Sequence, residues 1–143
     1  MKSAVILGST GSIGRQSLDV ADNLNLRIKA LVCGSNWRLL EEQARKYRPE
    51  FVAAADSAAA SELKIRLKDL PVKVGQGENA VVEAAEMDAD VTLSALVGIA
   101  GLRPTLAAAK KGARLAIANK ESIVCAGEHI LKKARESGTE IIP

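Results

Sequence analysis

The glycine-containing stretch at residues 8–14, with the sequence GSTGSIG, constrains the fold of this chain more than any other feature. A short apolar run at residues 4–7 precedes it, and a segment with the apolar spacing of an amphipathic helix follows it. A strand, a glycine turn and a helix in this order aim the first amide groups of the helix at a bound anion. The sequence therefore predicts an anion-binding turn after the first strand.

Three glycines have separate roles in this interpretation. Gly8 takes the tight turn off the strand, Gly11 lets the backbone approach a pyrophosphate, and Gly14 lets the helix lie near the sheet. The spacing is G-x-x-G-x-x-G, which differs by one position from the commoner G-x-G-x-x-G of dinucleotide-binding proteins. Because glycines also mark ordinary turns, a purely structural turn remains an alternative.

Strand and helix signals alternate along the whole chain. Asn36 and Ser57 are the expected N-caps of two helices, and Pro104 lies in the first turn of another. The predicted strands are residues 2–7, 27–33, 51–54, 72–74, 90–95, 114–118 and 139–143, with a helix between each pair. This alternation predicts an α/β fold with right-handed crossovers, in the form of a Rossmann-like, doubly wound, mostly parallel sheet with helices on both faces. The 143 residues fit one domain spanning 1–143.

The composition agrees with such a sheet. Hydrophobic residues make up 48% of the chain but aromatic residues only 2%, so the core is built from Ala, Val, Ile and Leu. A core of this kind suits strands that helices cover on both faces.

The charge and the cysteines restrict the class of partner. The net charge is +3, and the basic residues are spread along the chain without interleaved aromatics, which argues against a nucleic-acid partner and favours a small anionic ligand. Cys33 and Cys125 match no metal or redox spacing, so we expect buried free thiols in a reducing compartment. No apolar segment reaches the roughly 20 residues of a membrane span. We expect a cytoplasmic protein with no membrane partner.

The end of the second predicted strand indicates which dinucleotide would bind. NAD-binding domains usually carry Asp or Glu there, whereas this chain has Gly34, Ser35 and Asn36, with Arg38 just beyond. Small polar groups beside a cation accept a 2′-phosphate, which a carboxylate would repel, so the pattern favours NADP(H). Alternatively, Ser35 and Asn36 only cap a helix while Arg38 is solvated; both interpretations can hold together.

A second polar group follows the strand predicted at 114–118. Asn119, Lys120 and Glu121 come in succession where ligands lie in open α/β sheets. Asn119 could bond the nicotinamide ribose or amide, Lys120 an anionic or hydroxylated substrate, and Glu121 could face the cofactor. Helix capping by Asn119 and Glu121 explains the same residue types and stays open. His129 lies in the middle of the last helix, and we assign it no role.

Three blocks together resemble a known family. They are LGSTGSIG at residues 7–14, VGIAGLRPTL at 97–106 and ANKES at 118–122. The chain is similar to the N-terminal NADPH-binding domain of the 1-deoxy-D-xylulose 5-phosphate reductoisomerase family, and the resemblance runs through all 143 residues.

The resemblance implies the activity of a longer enzyme. Enzymes of that family rearrange 1-deoxy-D-xylulose 5-phosphate and reduce the product with NADPH to 2-C-methyl-D-erythritol 4-phosphate, in the non-mevalonate isoprenoid pathway. It also implies a homodimeric parent, whose Mg²⁺ or Mn²⁺ ligands lie beyond Pro143, and a phosphorylated sugar as substrate. This chain by itself would have no catalytic residue or metal ligand and would bind NADPH without turnover.

The resemblance also implies roles for individual residues. The pyrophosphate region of NADPH would contact Thr10, Gly11, Ser12 and Ile13, beside Gly8 and Gly14 of the same turn. The adenosine ribose and its 2′-phosphate would lie near Gly34, Ser35 and Asn36; Asn119 and Glu121 would contact the cofactor and Lys120 the substrate. Many members carry Lys or Arg where this chain has Ser35; Arg38 could supply that charge instead, and which residue replaces it stays open.

Two other classes of protein share parts of the pattern. Extended short-chain or semialdehyde dehydrogenases use the same glycine spacing, but the former need Tyr-x-x-x-Lys and Tyr47 lacks that lysine, while Cys125 does not resemble the catalytic cysteine of the latter. A non-catalytic module that senses NADPH and controls a partner is the second alternative, because fold does not determine function.

Overall fold

The computed structural model describes residues 2–96, 98–118 and 120–142, with backbone only at 98–99 and 120–126. Within these ranges strands and helices alternate as expected. The strands are β1 (Ser3–Leu7), β2 (Arg27–Cys33), β3 (Phe51–Ala54), β4 (Lys73–Gln76), β5 (Val91–Ser94), β6 (Arg114–Ile117) and β7 (Glu140–Ile142). The helices are α1 (Ser12–Asn23), α2 (Trp37–Tyr47), α3 (Ser57–Arg66), α4 (Gly77–Glu86), α5 (Leu102–Ala109) and α6 (Lys120–Ser137), with a 3₁₀ turn at Gly98–Gly101.

All the strands pair in parallel, in the order β4-β3-β2-β1-β5-β6-β7. From β1 the chain builds outward to β4, returns across the sheet through α4, and then builds outward on the other side from β5 to β7. The order therefore reverses between β1 and β5, where the crevice outside the carboxyl ends of the strands is the usual ligand site of such sheets. The predicted doubly wound sheet is confirmed.

The helices form one layer on each face of the sheet. On one face, α1, α2 and α3 pack on a core that includes Ile6, Leu31 and Val52. On the other, α4, α5 and α6 pack on a core that includes Val5 and Leu115. The buried side chains are almost all aliphatic, as the composition predicts.

Two predicted details are wrong. Ser57 does not cap α3: it is the first helical residue, and Asp56 is the N-cap, with its carboxylate accepting from the amide of Ala59 at 2.9 Å. The strand predicted at 72–74 runs over Lys73–Gln76, because it pairs residue for residue with Phe51–Ala54. Asn36 is confirmed as the N-cap of α2, and Pro104 lies in the first turn of α5.

In the part of the chain that the structure describes, every helix is too short or too polar to cross a membrane.

Candidate functional site

The glycine turn after β1 is fixed between two neighbouring strands. The amides of Gly8 and Ser9 both donate to the carbonyl of Val32 in β2, each at 2.9 Å. Gly8 has a φ of +92°, and a Cβ there would lie 2.7 Å from the carbonyl oxygen of Ala95, just after β5. Only glycine tolerates this conformation without strain and leaves room for that close approach. The turn thus sits in the crevice between β1 and β5.

Helix α1 packs directly on the turn. A Cβ at Gly14 would overlap the carbonyl oxygen of Gly8 and lie 2.7 Å from the Cα of Ser9. Gly11 differs, because the nearest atom to a Cβ there is the Gly8 oxygen at 3.8 Å, and the residue is exposed. Gly14 therefore lets the helix approach the turn, whereas the backbone at Gly11 stays open to a ligand.

The amino end of α1 lacks the cap that its neighbours have. Its N-cap is Gly11, which has no side chain, and its first turn contains no acidic residue. By contrast, Asn36 Oδ1 accepts from the Leu39 amide at 3.3 Å at the start of α2, and Asp56 caps α3. Uncapped first-turn amides together with the helix dipole form an anion site. At the crevice, the first turn of α1 follows the glycine turn and has neither a side-chain cap nor an acidic residue, which is the arrangement that favours an anion.

A cavity of about 570 Å³ lies beside this turn at the carboxyl edge of the sheet. Backbone from the ends of four strands surrounds it, and apolar side chains form much of its wall. Its lining residues are Gly8, Thr10, Gly11, Gly34, Ala55, Glu78, Val81, Ala95, Leu96 and Ala100. A cleft of this size with an open glycine turn at one side suits an elongated ligand with apolar and phosphate parts.

The structure brings some of the predicted site residues together and separates others. Gly8, Thr10, Gly11 and Gly34 line the same cavity, and Ser35 lies in the exposed loop that follows Gly34. Two side chains of the first turn of α1 point elsewhere: Ser12 lines a cleft between α1 and α2, and Ile13 lines a groove over the sheet. Asn119 and the side chains of Lys120, Glu121 and Cys125 lie outside the described residues.

Arg38 is paired with an aromatic ring. Its guanidinium carbon lies 5.1 Å from the centroid of Trp37, and that of Arg66, at the end of α3, lies 5.0 Å from the same centroid. Arg66 also reaches the carboxylate of Glu62 at 3.6 Å. The sequence does not predict Arg66 here, because only the packing of α3 beside α2 brings the two arginines to one ring.

Gln43, in α2, supports the glycine turn and was not predicted. Its Nε2 donates to the carbonyl of Ser9 at 2.9 Å, and the residue is buried. Its Oε1 is also buried and has no hydrogen-bond partner in the described part of the chain. Because Gln43 and Ser9 are 34 positions apart in the sequence, no local sequence pattern could have indicated this hydrogen bond.

Glu78 and Val81 reach the cavity from α4, which crosses the sheet from β4 to β5. Glu78 forms an ion pair with Arg103 at 3.1 Å, between atoms Oε2 and Nη1. The sequence does not predict that Glu78 and Val81 line the cavity, because this depends on the path of α4 across the sheet.

Cys33, at the end of β2, is a buried free thiol, as predicted. Burial and, to a smaller extent, the negative charge of Asp56 together raise its pKa to about 12. The thiol is therefore protonated at neutral pH and unsuited to nucleophilic or metal chemistry. Among the described residues, no group of three or more His, Cys, Asp or Glu side chains is arranged to hold a metal ion.

Comparison with known proteins identifies the family. The sequence model of the family described as 1-deoxy-D-xylulose 5-phosphate reductoisomerase matches residues 4–127. The chain belongs to this family. The reductoisomerase of Agathobacter rectalis is 43% identical over 145 aligned residues, which cover all of this chain and 38% of that protein.

Solved structures of reductoisomerases have the same fold. The enzyme from Zymomonas mobilis in complex with NADPH superposes with a TM-score of 0.95 at 40% identity, over 99% of this chain and 38% of that one. A DOX-P reductoisomerase in complex with NADPH, fosmidomycin and magnesium also gives a TM-score of 0.95, at 34% identity, over 100% of this chain and 36% of that one. The chain thus spans less than two-fifths of the length of these relatives.

Proposed function

We propose that this chain is the NADPH-binding domain of a 1-deoxy-D-xylulose 5-phosphate reductoisomerase. One observation carries the proposal: the uncapped amino end of α1 opens, through Gly11, onto a cavity at the reversal point of the sheet. Anions bind at such helix ends, and dinucleotides bind at such reversal points. The solved relatives that bind NADPH share this fold at a TM-score of 0.95.

The pyrophosphate of NADPH binds at the turn before α1. Thr10 and Gly11 line the cavity, and the amides of Ser12 and Ile13 are in the first turn of the helix. Because the side chains of Ser12 and Ile13 line other clefts, these two residues act through their backbone. Gly8 and Gly14 belong to the same cofactor site: Gly8 lines the cavity and shapes the turn, and Gly14 lets α1 pack on that turn.

The adenosine ribose and its 2′-phosphate bind at the loop formed by Gly34, Ser35 and Asn36. Asn36 uses its Oδ1 to cap α2, so its amide nitrogen is the group that faces a phosphate. Arg38 supplies the cation that Ser35 does not. Its stacking on Trp37, which Arg66 also contacts, keeps two positive charges close to this loop.

The family motif ANKES supports roles for the residues after β6. Asn119 and Glu121 contact the cofactor, and Lys120 binds the phosphorylated sugar substrate. These three positions follow the carboxyl end of a strand next to β5, the edge that the cavity occupies.

The reaction belongs to a family-length enzyme. That enzyme isomerises 1-deoxy-D-xylulose 5-phosphate and reduces the product with NADPH, as a cytoplasmic homodimer in isoprenoid biosynthesis. The Mg²⁺ or Mn²⁺ that polarises the ketol would use ligands beyond the residues of this chain. These residues alone bind NADPH and do not turn over the phosphorylated sugar.

The test is a calorimetric titration of this chain with NADPH and, separately, with NADH. We expect preference for NADPH, loss of binding in Gly11→Asp, where a carboxylate enters the open side of the turn, and weaker binding in Arg38→Ala. The control Arg135→Ala, in the last turn of α6, removes an exposed arginine far from the loop and leaves binding unchanged.

Equal affinity for both cofactors would overturn the role of Arg38 and of the loop. Absence of binding in both this chain and a family-length protein would overturn the dinucleotide site itself. Turnover of the phosphorylated sugar by this chain would contradict the assignment of the chemistry to other residues.

A further inference from the structure

One half of one sheet face has no helix over it in the described part of the chain. Helices α1, α2 and α3 cover β1 to β4 on that face, and α4, α5 and α6 all lie on the opposite face. Leu93 in β5, Ala116 in β6 and Ile142 in β7 are only half-buried there. In β6 the two faces differ directly, because Leu115 on the covered face is fully buried; in β7, Ile141 on the covered face is half-buried like Ile142.

The handedness of the connections explains the gap. Parallel strands are joined by right-handed crossovers, so the side on which a helix lies depends on the direction in which the sheet grows. From β1 to β4 successive strands are added in one direction, which places α1, α2 and α3 on one face of the sheet. From β5 to β7 they are added in the opposite direction, which places α5 and α6 on the opposite face. Within the described ranges, no right-handed crossover places a helix over β5 to β7 on the side of α1.

The uncovered region forms an apolar groove of about 340 Å³ between α1 and the sheet. Ile6, Leu93 and Ala116, neighbours across three strands, form its floor. Ile13 and Val20, seven residues apart on one side of α1, form its wall and are 46% and 55% exposed. Helix α1 therefore has a second apolar side in addition to the buried one that contains Leu18.

We propose that this groove binds an amphipathic helix from the part of a family-length reductoisomerase that this chain lacks. More than three-fifths of the length of each compared relative has no counterpart here, so the parent has ample chain to supply the helix. The groove is lined by α1 and by residues of β1, β5 and β6, on the face of the sheet opposite α4, α5 and α6.

The shape of the groove favours one helix over a second copy of this chain. A cleft of about 340 Å³ between a helix and a sheet accepts the apolar side of one helix packed beside α1. A stable dimer needs an interface of roughly 800 Å² per partner, with a broader surface than this narrow groove offers. The occupant thus completes the helix layer that α1, α2 and α3 begin.

Thiol labelling of a family-length protein that contains these residues tests the inference. Val20→Cys places a thiol on the groove wall, and Ile65→Cys is a matched control on α3, where Ile65 is 61% exposed and outside the groove. The rate of reaction with a maleimide is measured for each variant, and labelling of the unsubstituted protein is subtracted. In denaturant the two introduced thiols should react equally fast.

In the native protein we expect the thiol at position 20 to react at least tenfold more slowly than the one at 65, at every protein concentration. Similar native rates would overturn the inference. Protection of position 20 that disappears on dilution would also overturn it, in favour of a second copy. The inference depends on the proposed function in one respect, namely that these residues belong to a longer reductoisomerase. Because maleimide labelling needs no cofactor, a failure to bind NADPH would not change how the labelling rates are interpreted.

Discussion

Gly14 and Gly34 lie near the same edge of the sheet but differ in their surroundings. A Cβ at Gly14 would overlap the backbone of the glycine turn, whereas a Cβ at Gly34 has no atom within 4 Å. We expect Gly14→Ala to lower the free energy of unfolding by about 1–3 kcal/mol, the usual cost of overpacking. Gly34→Ala is the control and should change it by less than about 0.5 kcal/mol. Urea denaturation measures both, and equal effects would contradict the close approach of α1.

Gln43 makes the second residue-level prediction. Replacing it with methionine keeps the size of the side chain but removes the donor to the carbonyl of Ser9. A buried acceptor that loses its partner costs about 1–3 kcal/mol. Because methionine also removes the buried Oε1 that has no partner among the described residues, part of this cost is offset, and we expect Gln43→Met to lower the free energy of unfolding by about 1 kcal/mol in urea denaturation. Gln76→Met, at an exposed position, should be nearly unchanged. If the two variants are equally stable, Gln43 does not support the turn.

At the scale of residues, the sequence predicts what is local. Gly8 and Gly14 are identified by their spacing after an apolar strand, and Asn36 by its place before a helix. Gln43 and Arg66 are not identified, because each acts on a residue more than twenty positions away. The capping role of Asn36 is confirmed, and its contact with a phosphate stays a prediction.

The elements were predictable because their signals are strong and short in range. Apolar runs of four to seven residues between turn residues mark the strands, and β2 and β3 begin and end where predicted. The predicted bounds of β4 differ from the observed ones because the observed bounds follow from pairing with β3. The apolar pattern Val72-Lys73-Val74 carries no information about that tertiary contact.

At the start of α3, two adjacent residues could serve as the N-cap: Asp56, which the structure shows in that role, and Ser57, which the sequence predicts. The Asp56 carboxylate accepts from the Ala59 amide, so Asp56→Ala should lower the free energy of unfolding by about 1 kcal/mol. Ser57→Ala, in the first turn, should change it by less than about 0.5 kcal/mol. Chemical denaturation of the two variants measures the difference, and a larger loss in Ser57→Ala would restore the cap predicted from the sequence.

At the scale of the molecule, the two edges of the sheet have different roles. The carboxyl edge carries the glycine turn and the cavity, and its topology follows from the alternation of strands and helices. The contribution of Glu78 and Val81 to that cavity could not be predicted, since it requires the path of α4 across the sheet. The amino edge carries charged residues whose contacts join elements far apart in sequence.

Lys111 is the central contact of the amino edge. Its Nζ donates to the carbonyl of Met87 at 2.8 Å and to Thr92 Oγ1 at 2.6 Å, which ties the end of α5 to β5 and to the loop after α4. Nearby, Lys29 Nζ donates to the carbonyl of Asp88 at 2.6 Å. Burial lowers the pKa of Lys111 from its ordinary value of 10.5 to about 8; Asp88 opposes this shift and Lys29 adds to it.

This lowered pKa predicts how stability changes with pH. Between about pH 8 and 10.5 the folded chain has lost the proton of Lys111 while the unfolded chain retains it, so stability gained through this group rises with pH. Cys33, whose pKa is raised to about 12, acts in the opposite direction from about pH 9 upward and masks the effect in the unsubstituted chain. The contribution of Lys111 is isolated by the difference in unfolding free energy between the unsubstituted chain and Lys111→Met, because Cys33 is common to both. We expect this difference to move in favour of the unsubstituted chain as the pH rises from 8 to 10.5. A trend in the opposite direction would mean that the hydrogen bonds to Met87 and Thr92 outweigh burial and hold the proton on Lys111 in the folded state.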